Sequence, residues 1–277
     1  MPPQIVAIHS ANAAFQTIET LQRNRHKRLR QRAFFVEGVR AINHAVDHGW
    51  QIEALIYSRG RRLSDWAQAK LASSTAKTHY ELPPELMEQL SQKEDPSELL
   101  AIVGMPPDDL DRIPVTAQAL IVLLDRPASP GNLGSIIRSC DALQASGLVI
   151  SGHAADLYDP ETIRATTGSF FSLPAVRVSS PTDIAPWLAS LKQRFPALQV
   201  IGTSAKAAIP IHQHDFKPPT ILLIGNETLG LSQSYRALCD AMLTIPMSGS
   251  ASSLNVASAT SIILYEIARQ RRLTAVS

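Results

Sequence analysis

The sequence is poor in cysteine. Its 277 residues include two, Cys140 and Cys239, both inside apolar, helix-like segments. Two thiols cannot build a disulfide framework and match no zinc-ligand spacing, so both read as small buried residues in a reducing compartment. Also missing is any run near the ~18 uninterrupted apolar residues of a membrane span. The start, MPPQIVAIHSANAAFQ, has no charged segment followed by a long apolar one, so no secretory leader is visible. The expectation is a soluble, cytoplasmic protein. Strong charge of one sign is lacking too: 26 Lys and Arg against 24 Asp and Glu leave a formal charge of +2. Global charge does not announce nucleic acid, and local clustering has to make that case.

What is present is the composition of an ordinary globular protein, 45% hydrophobic and 18% charged, in a chain comfortable for two domains. Residues 1–105 alternate helical and strand-like patterns. A basic helical segment is expected near Ile18–Arg32, then a short strand in AFFVEG and a helix about Val39–His48. IEALIYS and LLAIVGM read as strands, with helices about Leu63–Ser73 and Pro83–Leu90 between them. The stretch MPPDDLDRIPVT then carries three prolines and four charged side chains. Proline fixes φ and removes a donor, so a linker is placed at 106–117 and a second domain at 118–277.

From Ala119 onward the rhythm is strand–helix–strand. ALIVLLD, GLVIS, AVRVS, LQVIGTS, TILLIGN and AMLTIP are apolar runs separated by helix-capable segments, including Gly134–Gln144, Asp183–Phe195 and Leu254–Arg271. Continuous apolar runs suit strands covered on both faces, hence a parallel α/β sheet. In such sheets ligands bind beyond the carboxyl ends of strands. Three of those loops have unusual sequence.

After ALIVLLD comes RPASPGNLGSIIR, with Asn132, Gly134 and Arg138. A glycine-bearing strand-to-helix turn lets backbone N–H groups approach an anion, and it is equally a tight turn with a surface arginine. It is not GxGxxG, and no acid stands at the distance a dinucleotide ribose needs, which disfavours Rossmann redox chemistry. After TILLI comes GNETLGLS. Burying Asn226 and Glu227 at a strand end costs free energy unless both are satisfied, so they have partners or ligands, or they cap the next helix. After AMLTI comes PMSGSASSLNV, whose Ser252 or Ser253 can cap a long amphipathic helix and can also contact a ligand.

Together these loops read NxGxxxR, GNExxGLS and IPMxGxxxSLNVAxAxxIxLYE, in that order. They closely resemble the three motifs of the SpoU/TrmH branch of the SPOUT methyltransferase superfamily. RATTGSFFSLP (Arg164–Pro174) resembles a further family segment, with Thr166 and Thr167 where small residues are common. VEGVRAINHAVDHG and EDPSELLAIVGMP more loosely resemble the family's substrate-binding domain.

The resemblance implies a parallel α/β sheet with a C-terminal trefoil knot, preceded by a small L30e-like α/β domain, and an obligate homodimer with its site near the subunit interface. It implies S-adenosylmethionine as methyl donor, a ribose 2′-hydroxyl of structured RNA as acceptor, and no metal. Carried over position by position, cofactor contacts fall to Gly225, Ile245 and Leu254, with Thr203 and Met247 as neighbours. The family's activating arginine corresponds to Arg138. Because a guanidinium stays protonated, Arg138 can instead clamp an RNA phosphate and stabilise a developing alkoxide. Asn132, Glu227, Ser253 and Asn255 complete the constellation as orienting groups.

RNA needs a second surface. Arg23, Arg25, Lys27, Arg28, Arg30 and Arg32 fall within ten residues that contain no acid, and Arg59, Arg61 and Arg62 form a smaller cluster. A basic helix gives phosphate affinity through counterion release, and it is also what a solvated surface helix looks like. The L30e resemblance favours recognition of folded RNA by shape, with ribosomal RNA ahead of tRNA. The competing readings are a non-catalytic RNA-binding scaffold and a different α/β nucleotide-binding enzyme.

Overall fold

A computed structural model describes residues 3–91, 93 and 95–274. Glu94, the first residue of EDPSELL, lies outside them. The chain divides into two compact units. One comprises the residues up to Pro106 together with Asp156–Phe171, and the other comprises Pro107–Ala155 and Ser172 onward. Residues 156–171, read from sequence as part of the second domain, therefore belong to the first unit. Nor is 106–117 a free tether. Asp108 in that stretch pairs with Arg177 at 2.6 Å, and Ile113 is buried in the second unit's core.

The first unit runs β1 (Gln4–Ala7), α1 (Ala13–Arg23), α2 (Arg25–Gln31), β2 (Ala33–Glu37), α3 (Val39–Asp47), β3 (Ile52–Ser58), α4 (Asp65–Ser73), β4 (Thr78–Leu82), α5 (Pro84–Leu90) and β5 (Leu99–Gly104). Its sheet has the order β1-β4-β3-β5-β2, with β5 antiparallel to both neighbours and the other pairings parallel. One face packs Ala33, Phe35, Ala54, Ile56 and Leu100 against Phe15, Ile18 and Leu21 of α1 and Leu86, Met87 and Leu90 of α5. The apolar spacing on α1 is that of a single helical face.

The expected single basic helix is two helices. Asn24 ends α1 and caps α2, where its side chain accepts from the Lys27 N–H at 3.0 Å. A short amide side chain competes for backbone donors and breaks the helix at that point. Arg28 corrects the sequence reading. It is 2% exposed, and its Nε and Nη2 donate to Asp156 Oδ2 at 2.9 and 2.7 Å, its Nη2 to Asp159 Oδ2, and its Nη1 to the Leu21 and Gln22 carbonyls. A guanidinium so committed is no phosphate contact. Arg23 pairs with Glu19, and Arg32 donates to the Met105 and Pro106 carbonyls. Lys27 and Arg30 are exposed, and Arg25 is half-buried.

The second unit runs β6 (Leu120–Asp125), α6 (Pro130–Ala142) and β7 (Gly147–Ser151) before α7 (Pro160–Ala165), which is counted with the first unit. It resumes with β8 (Ala175–Val178), α8 (Pro181–Arg194), β9 (Gln199–Thr203), β10 (Ile209–Pro210), β11 (Thr220–Ile224), α9 (Gln233–Arg236), β12 (Ala241–Thr244) and α10 (Val256–Thr274). All seven strands are parallel, in the order β10-β12-β9-β11-β6-β7-β8. Every residue of β6, β7 and β11 is buried, as their unbroken apolar sequences require. Ile184, Leu188 and Leu191 of α8 cover one face, and α10 packs on α6.

Helix α6 starts at Pro130 rather than Gly134, with the Ser129 side chain accepting from Asn132 N–H. Proline at a first helical position gives up no hydrogen bond. The cap of α10 is Asn255, which accepts from Ala257 and Ser258, and not Ser252 or Ser253. Cys140 is buried as expected, whereas Cys239 is only half-buried.

Candidate active site

Strands β6 and β11 are neighbours, with Leu124 opposite Ile224, so their carboxyl ends release two of the singled-out loops side by side. The loop after β11 folds back on itself. Asn226 and Gly230 exchange backbone hydrogen bonds at 3.2 and 2.9 Å, and the Asn226 side chain accepts from Thr228 and Leu229 N–H. Asn226 therefore closes this turn and does not cap a helix. The cap of α9 is Ser232. A Cβ at Gly225 would sit 2.2 Å from the Gly230 carbonyl carbon and the Leu231 nitrogen, so only glycine fits there.

Glu227 leaves its own loop. Its carboxylate accepts from Ala128 N–H at 3.1 Å and from Asn132 Nδ2 at 3.2 Å, at the start of α6. Asn132 Oδ1 in turn accepts from Asn255 Nδ2 at 3.1 Å. The three motifs are thus joined by one polar chain, Glu227–Asn132–Asn255. Each link leaves an amide or carboxylate in a fixed orientation, and the acid lies at a helix N-terminus, where negative charge is favoured.

Beside this chain is a cavity of about 400 Å³. Thr203, Gly225, Ile245, Met247 and Leu254, the five positions expected to meet a cofactor, all line it, together with Glu227 and Ser253. Thr203 turns its hydroxyl to the Leu223 carbonyl at 3.2 Å. Size and lining fit S-adenosylmethionine: apolar walls from Ile224, Leu243, Ile245 and Ile263 alternate with loop backbone that can read adenine and ribose edges. Asn132, Arg138 and Asn255 lie outside the lining. Arg138 is exposed, one turn along α6 from Gly134. Among the described residues no group of three or more side chains is arranged to hold a metal ion.

Sequence reasoning missed two neighbours of these loops, Asp125 and Arg126. The signal was a carboxylate ending a wholly apolar strand. Asp125 is 2% exposed. Burial pushes its carboxyl up, but hydrogen bonds from the Arg126 side chain and from Ser232, with the charge of Arg126, hold it below the ordinary carboxylate value.

Residues 119–265 match the SpoU rRNA methylase family, and residues 12–101 match the SpoU L30e-like domain. A 23S rRNA (uridine(2479)-2′-O)-methyltransferase from Streptomyces viridochromogenes is 50% identical over 270 residues, 97% of this chain and 94% of that protein. The crystal structure of the SpoU methyltransferase AviRb from the same organism, in complex with AdoMet, superposes with a TM-score of 0.90 at 51% identity, covering 94% of this chain and 98% of that one. An AdoMet-bound rRNA methyltransferase from Sinorhizobium meliloti follows with a TM-score of 0.83 at 32% identity, covering 96% and 98%. The parallel sheet with its knotted C-terminal segment, preceded by an L30e-like domain, is the SPOUT architecture. This chain belongs to the SpoU/TrmH family of S-adenosylmethionine-dependent RNA 2′-O-ribose methyltransferases.

Proposed function

We propose that the RNA is 23S ribosomal RNA, methylated by a homodimer in the cytoplasm. The observation that carries this reading is the 50% identity, over nearly the whole of both chains, to a relative named for a uridine 2′-hydroxyl of 23S rRNA. A tRNA substrate is the second reading from sequence, and no feature of this chain favours it. The dimer is supported by α10, where Ser258, Ile262, Tyr265 and Arg269 form one exposed stripe, with Tyr265 at 61% exposure.

When bound, the cofactor supplies a methyl carbon made electrophilic by its sulfonium. The chain has to hold the ribose oxygen in line with that carbon and lower the barrier to loss of the hydroxyl proton. Asn132, Glu227, Ser253 and Asn255 are assigned to orientation, and Arg138 to the RNA phosphate and the developing alkoxide. Mapping 2′-O-methylation across 23S rRNA and tRNA, with and without this protein, tests the substrate. A mark missing from 23S rRNA alone is expected, and loss confined to tRNA overturns the assignment. Sedimentation of the purified chain is expected to give a dimer, shifted to monomer by Tyr265→Glu.

A further inference from the structure

We propose that Asp125 is a positioning residue of the methyl-transfer site: with Arg126 it staples both ends of the 225–232 loop and so sets the place of Glu227 and of the cavity wall. The far end is held by Ser232 N–H, which donates to Asp125 Oδ2 at 2.7 Å. At the near end Asn226 Nδ2 donates to the Arg126 carbonyl at 2.8 Å. That carbonyl is presented because Arg126 adopts a left-handed backbone, φ 55°, uncommon for a residue with a side chain. Its guanidinium turns back onto the carboxylate of the preceding residue, Nε to Oδ1 at 2.8 Å and Nη2 to Oδ2 at 3.1 Å. Arg126 N–H is anchored separately, on the Ser151 carbonyl at 3.0 Å.

The loop so held supplies Gly225 through Gly230 to the cofactor cavity and carries the acid that reaches Ala128 and Asn132. One dipeptide at the end of β6 therefore fixes both this cavity wall and the acid it carries. A buried carboxylate is costly unless its oxygens are satisfied, and here the donors that satisfy them, Arg126 and Ser232, belong to the loops of the site. Its low exposure keeps it from touching RNA or reacting atoms, so its influence runs through the loop.

The proposal rests on the reading of Glu227, Asn132 and Asn255 as orienting groups, and the experiment separates the two. Full-length wild type, Asp125→Asn, Asp125→Ala, Arg126→Gly and Glu227→Gln are compared in three measurements: the dissociation constant for S-adenosylmethionine by calorimetry, kcat on RNA at saturating cofactor, and the melting temperature without cofactor. Asp125→Asn keeps the shape but cannot hold the bidentate guanidinium, and is expected to weaken cofactor binding ~10- to 100-fold, the worth of a hydrogen bond to a charged group. Arg126→Gly suits the positive φ and keeps the carbonyl for Asn226, but it takes the guanidinium from the carboxylate while leaving the Ser232 contact, so cofactor affinity is expected to fall by about 2- to 10-fold at pH 8, less than in Asp125→Asn. It is expected to fall further at acidic pH, where the carboxylate deprived of its guanidinium is protonated.

Wild-type affinity and turnover in Asp125→Asn, or a lowered melting temperature with unchanged affinity, overturn the proposal. If Asp125→Ala fails to fold, Asp125→Asn and Arg126→Gly decide it. Normal turnover in Glu227→Gln beside weakened binding in Asp125→Asn removes the role of Glu227 and leaves the staple standing. The reverse pattern removes the staple alone.

Discussion

Arg28 Nε and Nη2 both donate to a single carboxylate oxygen of Asp156, at 2.9 and 2.7 Å, across 128 residues of sequence. Both side chains are almost fully buried, at 2% and 7% exposure, and Asp159 and two backbone carbonyls take the remaining donors. This pair ties the 156–171 segment into the first unit.

Removing one partner of such a pair leaves an uncompensated buried charge, which costs about 3–5 kcal/mol. Arg28→Ala is therefore expected to lower unfolding stability by that order in urea titration. The Arg28→Met, Asp156→Leu double variant is expected to recover part of it, because apolar replacement of both partners removes the stranded charge. A single variant as stable as wild type shows that the pair contributes nothing.

Lys27 and Arg30, on the same short helix, are exposed and free to meet phosphate. Reversing both to Glu is expected to leave the melting temperature nearly unchanged while weakening RNA binding. The slope of log affinity against log salt should shrink by roughly 0.7–0.9 for each phosphate that is no longer neutralised. An unchanged slope assigns the RNA face elsewhere, with Arg59 and Arg62 the next residues to test.

The contrast between Arg28 and its neighbours shows what the sequence carried. A run of basic residues reports local charge density, but the partner that buries one of them lies in another segment and leaves no trace in spacing. The site was far more legible, because its three loops stand where apolar strands end and their joint motifs resemble the SpoU/TrmH pattern, and that resemblance is what assigned Asn132, Gly225, Glu227 and Asn255 their places. The strand β4, Thr78–Leu82, went unread because His79 and Glu81 interrupt its apolar run, and β1 is mostly exposed, so no run of core residues marks it. The start of α6 was readable in Ser129-Pro130, a cap followed by proline. The glycines that follow drew the boundary too late.

Gly225→Ala offers a direct test of the loop. The added methyl would meet backbone atoms at 2.2 Å, and neither Gly230 nor Leu231 can yield without opening the turn that Asn226 closes. Overpacking of this kind costs about 1–3 kcal/mol, so cofactor affinity is expected to fall roughly 5- to 150-fold, with far-UV circular dichroism unchanged. Wild-type affinity in calorimetry would show that the loop has another conformation open to it.

Acid should weaken the second unit in a defined window. Hydrogen bonding and charge from Arg269, helped by Gln270, hold the Glu266 carboxyl down at about 2 against an ordinary 4.5, and Asp125 is also depressed. A carboxyl whose folded value lies below its unfolded one adds stability that is complete above the unfolded value and is lost as pH falls toward the folded one. Burial also holds the His214 imidazole below its ordinary 6.5, so the melting temperature is expected to begin falling below about 6.5 and to drop more steeply between about 4.5 and 2. Glu266→Gln should flatten part of that drop, and a drop of the same size in the variant assigns it to other carboxyls.

Arg138 provides the sharpest test of the chemistry. It is exposed on α6 and lies outside the cavity lining, so Arg138→Ala should leave the dissociation constant for S-adenosylmethionine nearly intact. If its guanidinium stabilises charge developing on the ribose oxygen, kcat should fall by about 10²–10³, the usual loss for one such donor. Arg138→Lys keeps a positive charge without the planar fork, and so separates two roles. A phosphate clamp, which needs chiefly charge, should recover RNA affinity with lysine, whereas alkoxide stabilisation by two aligned donors should not recover kcat. Single-turnover rates with prebound RNA read the second quantity free of the first. Near-wild-type rates in Arg138→Ala would remove this residue from the reaction and leave orientation by Asn132, Glu227 and Asn255 to account for the rate.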